Sequence, residues 1–197
     1  MIELKKTNTI EEFKNGVLAL TEIFIDEYPY YATWIKKNID QFKCGEKQIL
    51  QIKNNDELVG YLMIHFCKEN IVKINGIYIF ENNKGKGIAT KAIEKLTEIL
   101  SENGVDLIFV QTRLDNNAVV HLFDKTGYDL IGTNYHKVEE KNNWVACNNV
   151  SKKMNSSQDI ASEIYDGFSA LNSEQIDALR LEHKDANLVL KRVKKDR

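Results

Sequence analysis

Apolar and polar positions along the chain change period several times, and each change predicts an element. Residues 2 to 6 alternate as a short first strand, and Thr9-x-x-Glu12 carries the signature of a reciprocal helix cap that starts a helix running to about Tyr28. Pro29, the only proline, breaks the chain before a second helix over "YYATWIKKNIDQF". The runs "KQILQIKN" and "ELVGYLMIHFC", joined by the turn "NNDE", read as a β-hairpin, and "NIVKINGIYIF" follows as another strand. In "KGIATKAIEKLTEILSENG" the apolar residues Ile88, Ala92, Leu96 and Ile99 recur at helical spacing, with Gly104 beyond the end. The nearly continuous apolar run "VDLIFVQTR" predicts a strand buried on both faces. A helix over "NNAVVHLFDKT" and a final hairpin of "YDLIGTNYHKV" and "NWVACNNVS" complete the series. The order is strand, two helices, three strands, helix, strand, helix, two strands. It predicts an α/β (α+β) fold with a mixed central sheet and flanking helices, over residues 1–154.

From about Met154 the β-branched strands give way to a helical pattern that forms a C-terminal extension over residues 155–197, with helices near 157–170 and 173–193. In the second, Ile176, Leu179, His183, Ala186, Leu190 and Val193 draw one stripe along a helix. That stripe must bury against something, either its own domain or a second copy or partner.

Composition narrows the function classes. The chain has 197 residues, 43% of them hydrophobic, enough for a packed core. With 27 basic and 29 acidic residues and a formal charge of -2, no global field draws it to nucleic acid or anionic lipid, so neither partner is expected. The N-terminus "MIELKKTNTIEE" lacks the apolar segment of a secretory signal, and no window is long and apolar enough for a membrane span. A cytoplasmic location is the expectation. Cys44, Cys67 and Cys147 are too scattered for a disulfide framework or a thiolate metal site, and are expected to be packing residues; no metal is expected.

Candidate chemistry centres on "NNKGKGIAT". Amides at a helix start have no internal partners and sit at the positive end of the helix dipole, and Gly85 and Gly87 remove the side chains that would keep a phosphate away. A Walker loop is excluded because no G-x-x-x-x-G-K-[ST] spacing occurs. A dinucleotide fingerprint would have Thr90 where its third glycine belongs, and the loop follows antiparallel strands, not an early βαβ unit.

Lys84-Gly85-Lys86-Gly87-Ile88-Ala89 resembles the Q/R-x-x-G-x-G/A coenzyme A motif of the GNAT N-acetyltransferase superfamily, with Lys84 at the Gln/Arg position. Downstream, Asn116, Val119, Leu122, Gly127 and Tyr128 stand in the places of that family's N-x-x-A-x-x-L-Y-x-x-x-G-F signature. The resemblance implies a sheet whose middle strands splay to admit acetyl-CoA as cosubstrate. The amides of Gly85, Lys86, Gly87, Ile88, Ala89 and Thr90 would hold its pyrophosphate. Backbone groups of Ile77, Tyr78 and Ile79 would pair with the pantetheine and polarise the thioester carbonyl. Asn116 would bind the pantetheine arm or order the helix that follows it.

The same resemblance marks departures. Phe123 stands where many members place a Tyr that protonates the departing sulfur, and Gln111 and Lys73 stand where a carboxylate base is usual. A thiol with an ordinary pKa near about 8.5 is a tolerable leaving group, so losing a positioned acid slows such an enzyme without abolishing it. Tyr128, Glu69, Glu81, His65 and His121 are weaker candidates for moving protons, and acyl transfer through Cys67 is a minor alternative. Tyr30, Tyr31 and Trp34 would form an aromatic wall for a cationic amine, or serve as core aromatics; Asn134, Tyr135 and His136 share that ambiguity. The reading is an acetyl-CoA-dependent N-acetyltransferase acting on the amine of a small molecule or peptide. The rival is a CoA-binding or interaction module that has lost the chemistry.

Overall fold

The structure is a computed structural model that describes residues 1–21, 31–68, 70–113, 116–138 and 143–153, with side chains described up to Tyr128 apart from Tyr31, Lys68, Gln111 and Arg113. It contains β1 (Ile2–Lys6), α1 (Ile10–Thr21), α2 (Tyr31–Lys43), β2 (Lys47–Asn54), β3 (Glu57–Lys68), β4 (Ile71–Ile79), α3 (Ile88–Glu102), β5 (Leu107–Arg113), α4 (Asn117–Lys125), β6 (Asp129–Val138) and β7 (Asn143–Lys153). The order is the expected one, and the fold is a mixed α/β arrangement with flanking helices. The chain divides into two compact units, Met1–Ile108 and Phe109–Arg197. The expected extension, with its helices near 157–170 and 173–193, lies outside the described residues, as do Glu69 and Tyr30.

In the first unit β1 to β4 form an antiparallel series in chain order. Cross-strand rows define its faces. Ile49, Met63 and Gly76 are aligned across β2, β3 and β4, as are Gln51, Tyr61 and Tyr78. These rows lie under α1, whose buried Phe13, Gly16, Val17 and Leu20 recur every three or four residues and meet Ile49, Tyr61 and Met63 in one apolar cluster. Trp34, Ile35, Ile39 and Phe42 of α2 extend it, with the Phe42 ring stacked 4.4 Å from Phe13. Gly16 lets the helix approach closely, because a Cβ there would sit 2.6 Å from Ile49 Cγ2. The other face is covered by α3, which contacts β1 and β4.

Local chemistry sets the element ends. The Thr9 hydroxyl accepts from the Glu12 amide at 3.1 Å while the Glu12 carboxylate accepts from the Thr9 amide at 3.2 Å, the predicted reciprocal cap. On α3 the buried apolar residues are Ile88, Ala92, Ile93, Leu96 and Leu100, so in the last turn Leu100 is buried and Ile99 only half-buried. Cys44 and Cys67 are exposed, which corrects the expectation that they pack in the core: Cys44 lies in the turn after α2, and Cys67 at a register shift of β3. The carbonyl of Asn70 accepts from the amides of Asp106 and Leu107, which starts β5 beside the start of β4.

In the second unit α4 is capped by Asn116, whose side chain accepts from the Val119 amide at 3.3 Å. β6 and β7 pair as the predicted antiparallel hairpin.

Gly60 of β3 faces Ile79 across the ladder, and a Cβ there would lie 2.2 Å from the Tyr78 carbonyl oxygen, which is backbone and cannot swing aside. Gly60→Ala should therefore cost about 2 kcal/mol or more of unfolding free energy. Gly76→Ala, whose new methyl would meet only Leu20 Cδ2 at 3.4 Å, should cost much less. Urea unfolding of both variants decides this; equal stabilities would contradict the close approach.

Candidate functional site

β4 ends at Ile79, and after Phe80 a single 3-10 turn, Glu81–Asn83, leads into the glycine loop. Gly87 immediately precedes α3 with φ 71° and ψ 11°, a left-handed conformation that a side chain would strain, and Gly85 is similar with φ 73°. Having no side chain, Gly87 offers the first-turn amides no cap, and no side chain caps α3. The first backbone bond of the helix is from the Lys91 amide to the Gly87 carbonyl. The amides of Ile88, Ala89 and Thr90 are therefore left at the positive end of the helix. A Cβ at Gly85 or Gly87 would meet nothing within 4 Å, so the space beside these two glycines, at the mouth of the helix, is open.

Two lysines flank the loop. The Lys84 ammonium pairs with the Glu81 carboxylate, which raises its pKa, and sits 5.6 Å from the centre of the Tyr78 ring. Lys86 Nζ donates to the Asn82 carbonyl at 2.7 Å. Bare amides, open space and two nearby cations suit a phosphate or pyrophosphate. Ile77 and Tyr78 are partly buried and Ile79 is buried, on the strand that leads directly into this loop.

The residues expected to move protons fall in both units, and each is described in its own. Phe123 is 1% exposed and packs edge-on against Tyr128, 5.0 Å between ring centres. Tyr128 is itself buried, so it is a packed aromatic and not an open donor. His121 is exposed on α4, and Asn116 orders that helix by capping it. The backbone of Gln111 lies on β5 and that of Tyr31 opens α2; their side chains, and those of Asn134, Tyr135, His136 and Cys147, lie outside the described residues. Trp34 is half-buried against the apolar cluster, the core role that was one of its two readings.

Lys73 has company that sequence reasoning missed. It pairs across the ladder with His65, and His65 pairs with Lys47, so three basic residues form one row across β4, β3 and β2. Lys47 is 7% exposed, and its ammonium donates to Asn38 Oδ1 and lies 5.9 Å from the centre of the Trp34 ring. Asn38 is held in turn by donation from its Nδ2 to the Trp34 carbonyl at 2.7 Å. Burial, then the nearby Lys37 and Lys73, push the Lys47 pKa down to about 8. Burial and Lys47 likewise lower that of His65, which leaves its imidazole neutral at pH 7. The signal in the sequence was the alternation Lys47, Ile49, Gln51, which puts a lysine in phase with the apolar face of β2. Among the described residues no cluster of His, Cys, Asp or Glu is placed to hold a metal, and no helix is long and apolar enough to cross a membrane.

The profile of the acetyltransferase (GNAT) family matches residues 17–128, a span that includes β4, the glycine loop, α3 and α4. The chain belongs to this family. The uncharacterized N-acetyltransferase YobR of Bacillus subtilis (strain 168) is 32% identical over 66 residues, 34% of this GNAT chain and 27% of that protein. The uncharacterized N-acetyltransferase CT2212 of Chlorobaculum tepidum is 30% identical over 98 residues, 50% of this chain and 58% of that protein. The chain thus spans less than two thirds of the length of these curated relatives. Among solved structures, RimL, a ribosomal L7/L12 alpha-N-protein acetyltransferase in complex with coenzyme A, aligns with a TM-score of 0.61 at 17% identity, over 79% of this GNAT chain and 96% of that one. At that identity the likeness is one of fold.

Lys47 gives a pH test with a definite sign. Its folded pKa of about 8 lies below its ordinary 10.5, so the unfolded chain binds the proton more tightly and the cost of the buried charge is fully present below pH 8. Wild-type stability should gain a contribution, on the order of 3 kcal/mol at most, as pH rises from about 8 to 10.5. Lys47→Met should lack it. Urea unfolding at pH 7.5 and pH 10 measures the difference; parallel shifts in the two proteins would show that Lys47 is not charged and buried as described.

Proposed function

We propose that this GNAT protein is an acetyl-CoA-dependent N-acetyltransferase that transfers the acetyl group directly to an amine while both substrates are bound. The observation that carries the reading is the start of α3: a family-matched loop with uncapped amides, two left-handed glycines and open space beside the glycines. The names of the curated relatives and the coenzyme A bound to RimL agree with it. In this reading the amides of residues 85–90 hold the pyrophosphate of acetyl-CoA, with Lys84 and Lys86 adding charge at its rim. Backbone groups of Ile77, Tyr78 and Ile79 bind the pantetheine and polarise the thioester carbonyl. The amine nitrogen attacks that carbonyl, the new C–N bond forms as the C–S bond breaks, the sulfur leaves as thiolate, and the proton released by the amine neutralises it through solvent. The acceptor is a small molecule or a peptide end.

A second reading has one specific observation behind it. Phe123 is buried and carries no hydroxyl, so no acid stands at that position to meet the departing sulfur. The protein would then bind coenzyme A without efficient transfer.

One measurement tests the CoA site that both readings share, and a second separates them. Coenzyme A at about 100 times its Kd should stabilise the protein by about 2.7 kcal/mol. Gly87→Leu, which strains a left-handed residue and fills the open approach, should remove most of that shift. A thiol-release assay with acetyl-CoA and a broad amine panel should show acceptor-dependent release. No release with any amine, together with retained CoA stabilisation, would leave only the binding module.

A further inference from the structure

We infer that the row Lys47–His65–Lys73 is an anion-binding subsite that receives a carboxylate or phosphate group carried by the acceptor amine; the word acceptor rests on the function proposed above. The row lies on the sheet face covered by α1 and α2, in phase with Ile49 and Met63 and opposite the face covered by α3. Lys47 is its key. An ammonium has three donors, and this one, 7% exposed, gives one to Asn38 Oδ1 and has no carboxylate within ion-pair distance among the described residues. A buried charge with a single neutral hydrogen-bond partner is costly to keep.

Among the described residues its surroundings relieve that cost only in part, through the Trp34 ring and Glu46. Lys73 from β4 and Lys37 from α2 both act on Lys47 with the same sign of charge, and both lower the proton affinity of His65. Glu46, in the turn before β2, opposes them, and Cys67 of β3 also faces the group. Lys37 and Glu46 in addition line a cleft of about 440 Å³ along α2, together with Thr33, Lys36, Asp40 and Gln41. Gln41 Oε1, in that same lining, is buried without a hydrogen-bond partner. A fold that packs like charges around a buried lysine is stabilised by an anion that binds there, and the rigid Asn38 amide keeps the ammonium aimed.

Inorganic phosphate is the probe, used with the full chain at constant ionic strength. Phosphate at about 10 mM should raise the wild-type melting temperature where chloride of equal ionic strength does not, and the rise should shrink in Lys47→Met. Lys73→Met serves as a second variant should the first fail to fold, and the shift should shrink there as well. In turnover, phosphate should compete with the amine and not with acetyl-CoA. Amines bearing a carboxylate should be preferred roughly tenfold over their carboxamides, and Lys47→Met should erase that preference. Absence of a phosphate shift in the wild type, or a shift in both variants as large as that of the wild type, overturns the subsite. A subsite that binds phosphate without competing with the amine overturns its assignment to the acceptor. If no amine is acetylated while the Lys47-dependent phosphate shift persists, the anion site stands and the enzymatic reading fails.

Discussion

The register between β3 and β4 is the constraint on which both candidate sites depend. Met63 faces Gly76 and Ile64 faces Ile74, so Asn75 is an extra residue on β4, a bulge. Side chains on an undisturbed strand alternate, and Lys73 and Gly76, three apart, would point to opposite faces. The bulge cancels that phase. It puts Lys73 on the same face as Gly76 and Tyr78, beside His65 and under the helices α1 and α2. The downstream half of the strand keeps its own phase, in which Ile79 is buried and Tyr78 packs against Phe80 at the entrance to the glycine loop. A slip of one residue would turn the whole set over.

That bulge also explains what was legible in the sequence and what was not. Local signals carried the elements: the Thr9–Glu12 cap, the turn after Asn54 and the order of strands and helices all fall where the pattern put them. The glycine loop was legible because its chemistry is local too, two glycines and a helix start within a few residues. Lys47, His65 and Lys73 come from three strands and meet only through pairing, and the phase that unites them is reset at Asn75 by an insertion that leaves no period in the residues. The expectation for Cys44 and Cys67 failed for the related reason that exposure at a turn or a register shift is decided by the ladder and not by residue type. Phe123 shows a third case. The family pattern located the position, yet only packing shows that the ring is closed in against Tyr128.

Electrostatics gives the two ends of β4 different means of favouring an anion. At the glycine loop the charges are partial and come from the backbone: uncapped amides at the mouth of the helix, with lysines whose ammoniums are engaged by Glu81 and the Asn82 carbonyl. Such a site suits a large, strongly charged group that stays partly in water. At the Lys47 row the charge is a whole one and is buried, so its interactions are screened less by solvent and depend more on which groups are protonated. On the readings proposed above, the first would bind the common cosubstrate and the second would discriminate among acceptors.

The strand itself then limits the acceptor. Five residues lie between Lys73 and Ile79, one of them the bulge, so five regular strand steps put the row and the end of β4 about 17 Å apart along the sheet at ~3.3 Å per step. The proposed thioester position, beside Ile77 to Ile79, falls nearer, and a lysine side chain shortens the gap further. An acceptor held by its anion at the row would therefore present its amine on the order of 10 Å away. A compound with its carboxylate and amine on one carbon is too short to span that distance unless the amine reaches the thioester through a longer arm. A chain several bonds long, or a peptide end with an acidic residue nearby, spans it without distortion, and an acceptor held at the proposed subsite would be of that kind.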